Sequence, residues 1–257
     1  MTSFMNYLVS EKSKILSLLL QHVELTIIAI VLAIIIGIPL GIFIAHCKSV
    51  RKYVLGFINI VQAVPSMAFL GLLVPVLGIG STPAIFMVVL YSLLPIVKNT
   101  STGITGIDSG ILESATGIGL TPRQILFKIQ LPLALPIIMA GVRISAVSAV
   151  GLMTLSAFVG AGGLGYLVFS GVQTVNNTMI LAGAIPACIL ALCVDFVFSK
   201  IEVVAIPDGI STSKSKRSRH AKNPKEYRDP KYKARRRKVI GVATALVIIF
   251  IGCGRYF

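Results

Sequence analysis

A chain of 257 residues that is 55% hydrophobic and only 13% charged, with a mean hydropathy of +0.90, excludes an ordinary soluble domain. Its formal net charge of +15 resembles that of a nucleic-acid binder, yet 14 of its 24 basic residues, with four acidic ones, lie between Lys200 and Lys238. The charge belongs to one segment, and the remainder is an all-α integral membrane protein without a nucleic-acid interface.

Residues 1–21 are polar-mixed and are expected on the extracytoplasmic side. Four apolar stretches, residues 22–45, 53–77, 132–153 and 179–198, reach the roughly 17 to 25 residues that a bilayer-crossing helix needs, and a fifth, residues 82–97, comes within one residue of it. Residues 239–253 form a shorter sixth candidate, with Lys238 placed to snorkel and Tyr256 and Phe257 suited to the far interface. The first stretch is too long, and begins too late, for a cleaved signal peptide, so it is read as a retained helix. The result is a five-helix core over residues 22–200, a linker over residues 201–238 and one appended C-terminal helix, with residues 254–257 beyond it.

Short connections rich in Lys and Arg stay in the cytoplasm. Lys48, Arg51 and Lys52, then Lys98, Arg123 and Lys128, then the basic linker all fall on one side, whereas residues 78–81 and 154–178 contain no Lys or Arg. The N-terminus is therefore predicted outside and residues 109–132 in the cytoplasm, where ATP is available. The linker is too polar to fold by itself and is read as a solvated segment lying on anionic lipid, where each basic residue contributes about 1 kcal/mol. Tyr227 and Tyr232 are too few for a base-stacking platform; ionic-strength sensing through Arg235 to Lys238 is the alternative role.

Residues 113–132, ESATGIGLTPRQILFKIQLP, make a polar, small-residue island. Asp108 and Ser109 are N-cap candidates, Glu113 is placed in the first turn of the helix that follows, and Ser114, Ala115, Gly117 and Gly119 keep its surface thin. Thr121, Pro122 and Gln124 then spell a second helix start: a cap, a proline at the first helical position and a capping-box partner. Two short helices meeting at Leu120 are predicted. Such an insert is either a docking surface for another protein or an amphipathic loop resting on the membrane.

The run Gly160-Ala161-Gly162-Gly163-Leu164-Gly165 is not a phosphate loop, because Tyr166 and Leu167 follow it and no strand precedes it. No Walker A sequence occurs in the chain, so it is not read as an ATPase. The run predicts irregular backbone or a re-entrant turn near an outer gate. Arg143, eleven residues past Pro132 at about 1.5 Å per residue, lies well inside the bilayer, where insertion scales charge about 2.5 to 3.5 kcal/mol. It is read either as a donor to helix-end carbonyls or as part of the path or a gating ion pair. Gly141, Ser145 and Ser148 suit close packing, including between two copies. Glu24 and Asp195 are read as anchors near helix ends. Cys47, Cys188, Cys193 and Cys253 lack metal-ligand spacing and His22, His46 and His220 are scattered, so neither a metal site nor a His-based nucleophile is predicted.

Glu113, Ala115, Gly119, Ile129, Leu131 and Pro132 fall at the spacing Glu, small residues, Gly, then Ile-x-Leu-Pro, with Ser114 standing where an Ala is usual. In this the sequence resembles ABC importer permeases, whose coupling loop carries that signature. The resemblance covers residues 18–207. Gln62-Ala63-Val64-Pro65-Ser66, the glycine run, and Gly183-Ala184-Ile185-Pro186 to Asp195 are similar to the osmoprotectant branch, whose members import glycine betaine, carnitine or choline. Related ergothioneine-type permeases carry a binding domain fused to the C-terminus.

The resemblance implies a type I ABC importer transmembrane domain in the bacterial plasma membrane, moving a trimethylammonium solute inward by alternating access. It implies a second permease copy as a homodimer, two ABC ATPase subunits that hold ATP and Mg, an extracytoplasmic substrate-binding domain or protein, membrane lipid, and no cofactor in this chain. Glu113, Ser114, Ala115, Gly117, Gly119, Ile129, Leu131 and Pro132 become the ATPase-coupling residues, and Pro65, Ser66, Arg143, Gly162 and Gly163 the gate or pathway candidates. There is no Trp and no evident aromatic cage for a quaternary ammonium, so cargo selection is expected in the binding domain. The sequence stops where a fused binding domain would begin, which predicts a piece of a longer chain; a separate binding protein is the alternative. The competing functions are an amino-acid importer permease and a membrane channel or receptor with a basic tail.

Overall fold

The computed structural model describes residues 2–205. The linker beyond residue 205, the residues Arg235 to Lys238, His220, Cys253 and the sixth candidate span all lie outside the described residues. The chain divides into two units, Met1–Phe198 and Ser199–Phe257; of the second, the described part is the last turns of a helix. Among the described residues all regular structure is helical.

The first helix, α1, spans Thr2–Ser10 and is followed by α2, Lys12–His46. The polar start is thus helical, and Glu24 sits several turns inside α2 instead of near its end. The stretch at residues 53–77 was expected as one helix, but it is two: α3, Lys48–Ala63, and α4, Ser66–Leu77, bent by 99°. Pro65 explains the break, because it has no N–H to offer and its ring pushes Val64 out of the α region, to φ −72° and ψ 132°. The free groups are caught by the next helix, α5, Ser81–Thr105. The Tyr91 hydroxyl donates to the Val64 carbonyl, and Gln62 Nε2 donates to the Tyr91 carbonyl at 2.8 Å. With 16 and 12 residues, neither half is long enough to cross a bilayer alone, so the pair is a broken span or a re-entrant hairpin.

Two short helices follow, α6 at Ser109–Gly117 and α7 at Pro122–Ile125. A π-helical turn at Leu126–Gln130 leads into α8, Leu131–Met153, which tightens into a 3-10 turn at Thr154–Val159. Then come α9, Gly165–Gln173, and α10, Asn177–Ala205. By length and composition α2, α5, α10 and the continuous helix Pro122–Val159 can each cross a membrane, and the bent α3 and α4 pair makes a fifth. The linker was expected to begin at residue 201; α10 carries the helix on to Ala205.

The core is the line where α2, α5 and α8 meet, with Ala29, Ala33, Met87, Ile96, Val142 and Ala149 buried in it. Between helices in lipid the attraction is dispersion at close range, so small residues set the spacing. A Cβ at Gly41 would fall 2.5 Å from Thr100 Cβ, and one at Gly141 would fall 2.7 Å from the Pro95 carbonyl oxygen. Ser145 Oγ donates to the Ser92 carbonyl at 2.8 Å. Gly141 and Ser145 therefore serve contact between α8 and α5 within one chain, while Ser148 of the same series is exposed. α10 buries only Ala182 and Gly183.

Candidate functional site

The loop between α5 and α8 is built by its own residues. Asp108 caps α6, its carboxylate accepting from Gly110 N–H at 2.8 Å. Gly119 ends the turn with φ +83°, a conformation that L residues rarely adopt. Thr121 and Gln124 form the reciprocal capping box, Thr121 N–H donating to Gln124 Oε1 at 2.9 Å and Gln124 N–H to Thr121 Oγ1 at 3.4 Å. The two predicted short helices and their junction are thus present. Glu113 is placed differently from the expectation: α6 begins at Ser109, so Glu113 is past the first turn, where dipole complementarity has faded.

What the loop presents is a thin, partly greasy surface. Glu113, Ser114, Gly117 and Gly119 are exposed, and a Cβ at Gly117 or Gly119 would meet nothing within 4 Å. Ile118 is 78% exposed and Phe127 66% exposed, while Ala115 is buried and anchors the helix. A single chain leaves these apolar tips uncovered.

The second short helix does not stop at Ile125. It runs through the π-helical turn, where Leu131 N–H donates to the Leu126 carbonyl, and on into α8. Pro132 accounts for that turn, because a proline cannot supply the ordinary i to i−4 bond and a widened turn just before it absorbs the defect. Ile129, Leu131 and Pro132 therefore form the joint between loop and spanning helix. Gln130, between them, is buried and lies 3.2 Å through Oε1 from Nε2 of His46, the last residue of α2, whose Nδ1 is 2.9 Å from the Ile42 carbonyl oxygen. The joint is fastened to the first long helix.

At the other end of the same helix the glycine run folds back on α2. Gly160, Gly162 and Gly163 all have φ between +72° and +79°. Gly163 N–H donates to Gln21 Oε1 at 3.1 Å, and Ser156 Oγ donates to the Gly162 carbonyl at 3.1 Å. His22, fully buried, pairs through Nε2 with the Val150 carbonyl at 3.1 Å and packs its Nδ1 against Gly163. Gly165 lies so close to the Thr154 carbonyl that no side chain fits. Gly80 N–H, from the turn before α5, donates to the Val159 carbonyl at 2.7 Å. The expected irregular backbone is present, tied to α2, α5 and α8 together.

Arg143 lies near the middle of α8 and meets Asp195 of α10 as a two-pronged pair, Nε to Oδ1 at 2.6 Å and Nη2 to Oδ2 at 2.8 Å. It meets a carboxylate as an ion pair, and Asp195 stands inside α10, ten residues before its end. The side chains remain 34% and 42% exposed. Hydrocarbon is a poor neighbour for such a pair, so this face belongs against protein or water. The five gate candidates do not form one cluster. Pro65 and Ser66 belong to the break held by Tyr91, Gly162 and Gly163 to the His22 turn, and Arg143 to the ion pair. No group of His, Cys, Asp and Glu suited to a metal occurs among the described residues.

Residues 37–202 match the family described as "Binding-protein-dependent transport system inner membrane component". The chain belongs to that family. As an inner-membrane transport component it is 40% identical over 214 residues to the glycine betaine/carnitine/choline transport system permease protein OpuCB of Bacillus subtilis, covering 83% of this chain and 99% of that protein. It is also 40% identical over 210 residues to the osmoprotectant import permease protein OsmW of Salmonella typhimurium, covering 80% of this chain and 98% of that one. The fold is that of a type I ABC importer transmembrane domain. It resembles the MetNI methionine ABC transporter in an inward-facing conformation with TM-score 0.66 at 23% identity, over 73% of this chain and 94% of that chain. Membership sets aside the channel or receptor reading, and it places this multi-pass transport component beside an ATPase and a substrate-binding partner.

Several contacts of this component were not foreseen. Opposite charges in otherwise apolar spans, Arg143 and Asp195, were the available signal for the ion pair. No local pattern announces the contact of His46 with Gln130, or of Gln21 and His22 with the glycine turn, because the partners are 84, 142 and 128 positions apart or bound through backbone carbonyls.

Proposed function

We propose that this chain is the permease subunit of an ATP-driven importer for a trimethylammonium solute: glycine betaine, carnitine, choline or ergothioneine. It works as a homodimer in the bacterial plasma membrane, with its N-terminus outside and the loop at residues 109–132 in the cytoplasm. Two ATPase subunits bind ATP and Mg and seat α6 in a cleft, with Ile118 and Phe127 covered on docking. The observation that carries this reading is the exposed, doubly capped loop whose second helix is continuous with a spanning helix. The substrates for which these relatives are named supply the cargo class.

Transport follows from alternating access. ATP closes the ATPase dimer, α6 moves with its cleft, and the Ile129, Leu131 and Pro132 joint passes the displacement to α8 and, through Gln130 and His46, to α2. The glycine turn and the Pro65 break sit where the path opens and closes. Hydrolysis resets the cycle, with all phosphate chemistry in the partner.

The test is uptake by proteoliposomes holding the permease, its ATPase and its binding protein. ATP-dependent entry of at least one of the four trimethylammonium compounds is expected. Transport confined to an ordinary amino acid would replace this reading with the amino-acid importer, for which the likeness to methionine and other amino-acid transporters is one of fold alone.

A further inference from the structure

The Arg143 and Asp195 pair asks for an explanation beyond bracing. A structural ion pair inside a membrane protein is normally sealed by packing, because each charge must be kept from hydrocarbon. Here about two fifths of the carboxylate side chain and a third of the guanidinium side chain remain uncovered. The pair also joins an unequal couple of helices. α8 is packed along α2 and α5 and carries the coupling joint at its start, whereas α10 buries only Ala182 and Gly183, well before Asp195. Near Asp195, Val194 and Phe198 of α10 pack at the edge of the core. A displacement of α8 therefore acts directly on this contact.

We propose that this pair reads the charge pattern of the substrate: when it opens, Arg143 takes the carboxylate of a zwitterionic betaine and Asp195 faces its quaternary ammonium. This rests on the trimethylammonium reading above and goes further by naming where, in this chain, the two charges are met. The chemistry is an exchange of like for like. The guanidinium fork already holds one carboxylate by two parallel hydrogen bonds, and a substrate carboxylate presents the same two acceptors. The trimethylammonium group has no N–H to donate, so it meets Asp195 by charge alone. The closed pair is consequently the better-bonded state, and substrate is released when the helices return. Choline, a cation with a hydroxyl in place of the carboxylate, engages only Asp195.

The complete complex with its ATPase and binding protein, reconstituted in proteoliposomes, is assayed for uptake of glycine betaine and of choline. Arg143→Gln is expected to lower betaine uptake on the order of tenfold more than choline uptake, since a hydrogen-bonded charge is lost for one substrate only. Arg143→Lys, which keeps the charge and removes the fork, covers the case in which the first variant does not assemble, and the same bias toward choline is expected. Asp195→Asn lowers both. Equal losses for the two substrates in the Arg143 variants, with recovery of both in Arg143→Asp combined with Asp195→Arg, would make the pair a brace or an inter-copy contact and overturn the inference. A wild-type complex that carries choline and refuses betaine and carnitine also overturns it, while leaving the importer reading intact. A complex that carries none of the trimethylammonium compounds removes both.

Discussion

The loop before the helix Pro122–Val159 and the glycine turn after it differ in where their instructions come from. The loop is specified by neighbours in sequence: Asp108 caps two residues on, and Thr121 and Gln124 cap each other. The turn has one local tie, Ser156 to Gly162, and is otherwise fixed from afar, by Gln21 accepting from Gly163 N–H and by His22, itself held by Val150, packed against Gly163. One is exposed and leaves its apolar tips open; the other has Gly163, Leu164 and Gly165 buried. A surface intended for a partner must keep its shape alone, and a buried turn does not have to.

The sharpest way to break this contrast is with glycines. Gly165→Val should abolish recovery of a monodisperse permease, because its side chain has to displace the Thr154 backbone, whereas Gly117→Ala, with nothing within 4 Å, should leave yield and thermal midpoint unchanged. Equal behaviour of the two would end the distinction. Next in size is the loop as a partner surface: Glu113→Lys should leave the permease folded yet weaken its capture of the ATPase by about 2 kcal/mol or more, measured by titration in detergent. Wild-type capture with coupled transport would remove Glu113 from the docking surface.

Smaller effects probe the same difference from within. His22→Leu forfeits a buried hydrogen bond to Val150 and should cost about 1 to 3 kcal/mol, seen as a lowered unfolding midpoint of the purified permease. Thr121→Ala should cost about 1 kcal/mol of local helix stability, read as faster hydrogen exchange confined to residues 121–126, with the glycine turn unaffected. Protection lost at both ends would show that the two regions are not independent.

This division also explains what could be read from the sequence. Apolar length located the spans, and the capping residues located both short helices, because each signal acts over a few positions. The apolar run over residues 53–77 predicts one continuous helix, although its break at Pro65 is marked by a visible proline. Prolines inside α2, α5, α8 and α10 leave those helices unbroken, so the residue alone does not decide. At Val64 the Tyr91 hydroxyl tips the balance by satisfying the freed carbonyl, and that is a tertiary fact. Asp195 was assigned to a helix end for a similar reason: its role depends on Arg143, 52 positions away. The small-residue series on α8 was legible as a packing face, but only the fold shows that α5 fills it.

The helix Pro122–Val159 has 38 residues, about 57 Å at the usual rise, nearly twice the thickness of a hydrocarbon core. In the proposed transport cycle it acts as a pushrod longer than the apolar core it has to cross. A rod of this kind transmits a stroke only as faithfully as its softest section, and the widened turn before Pro132 is one place where its α-helical bonding is interrupted. Stiffness there sets how much of the stroke delivered at Phe127 is still present when it reaches the far side.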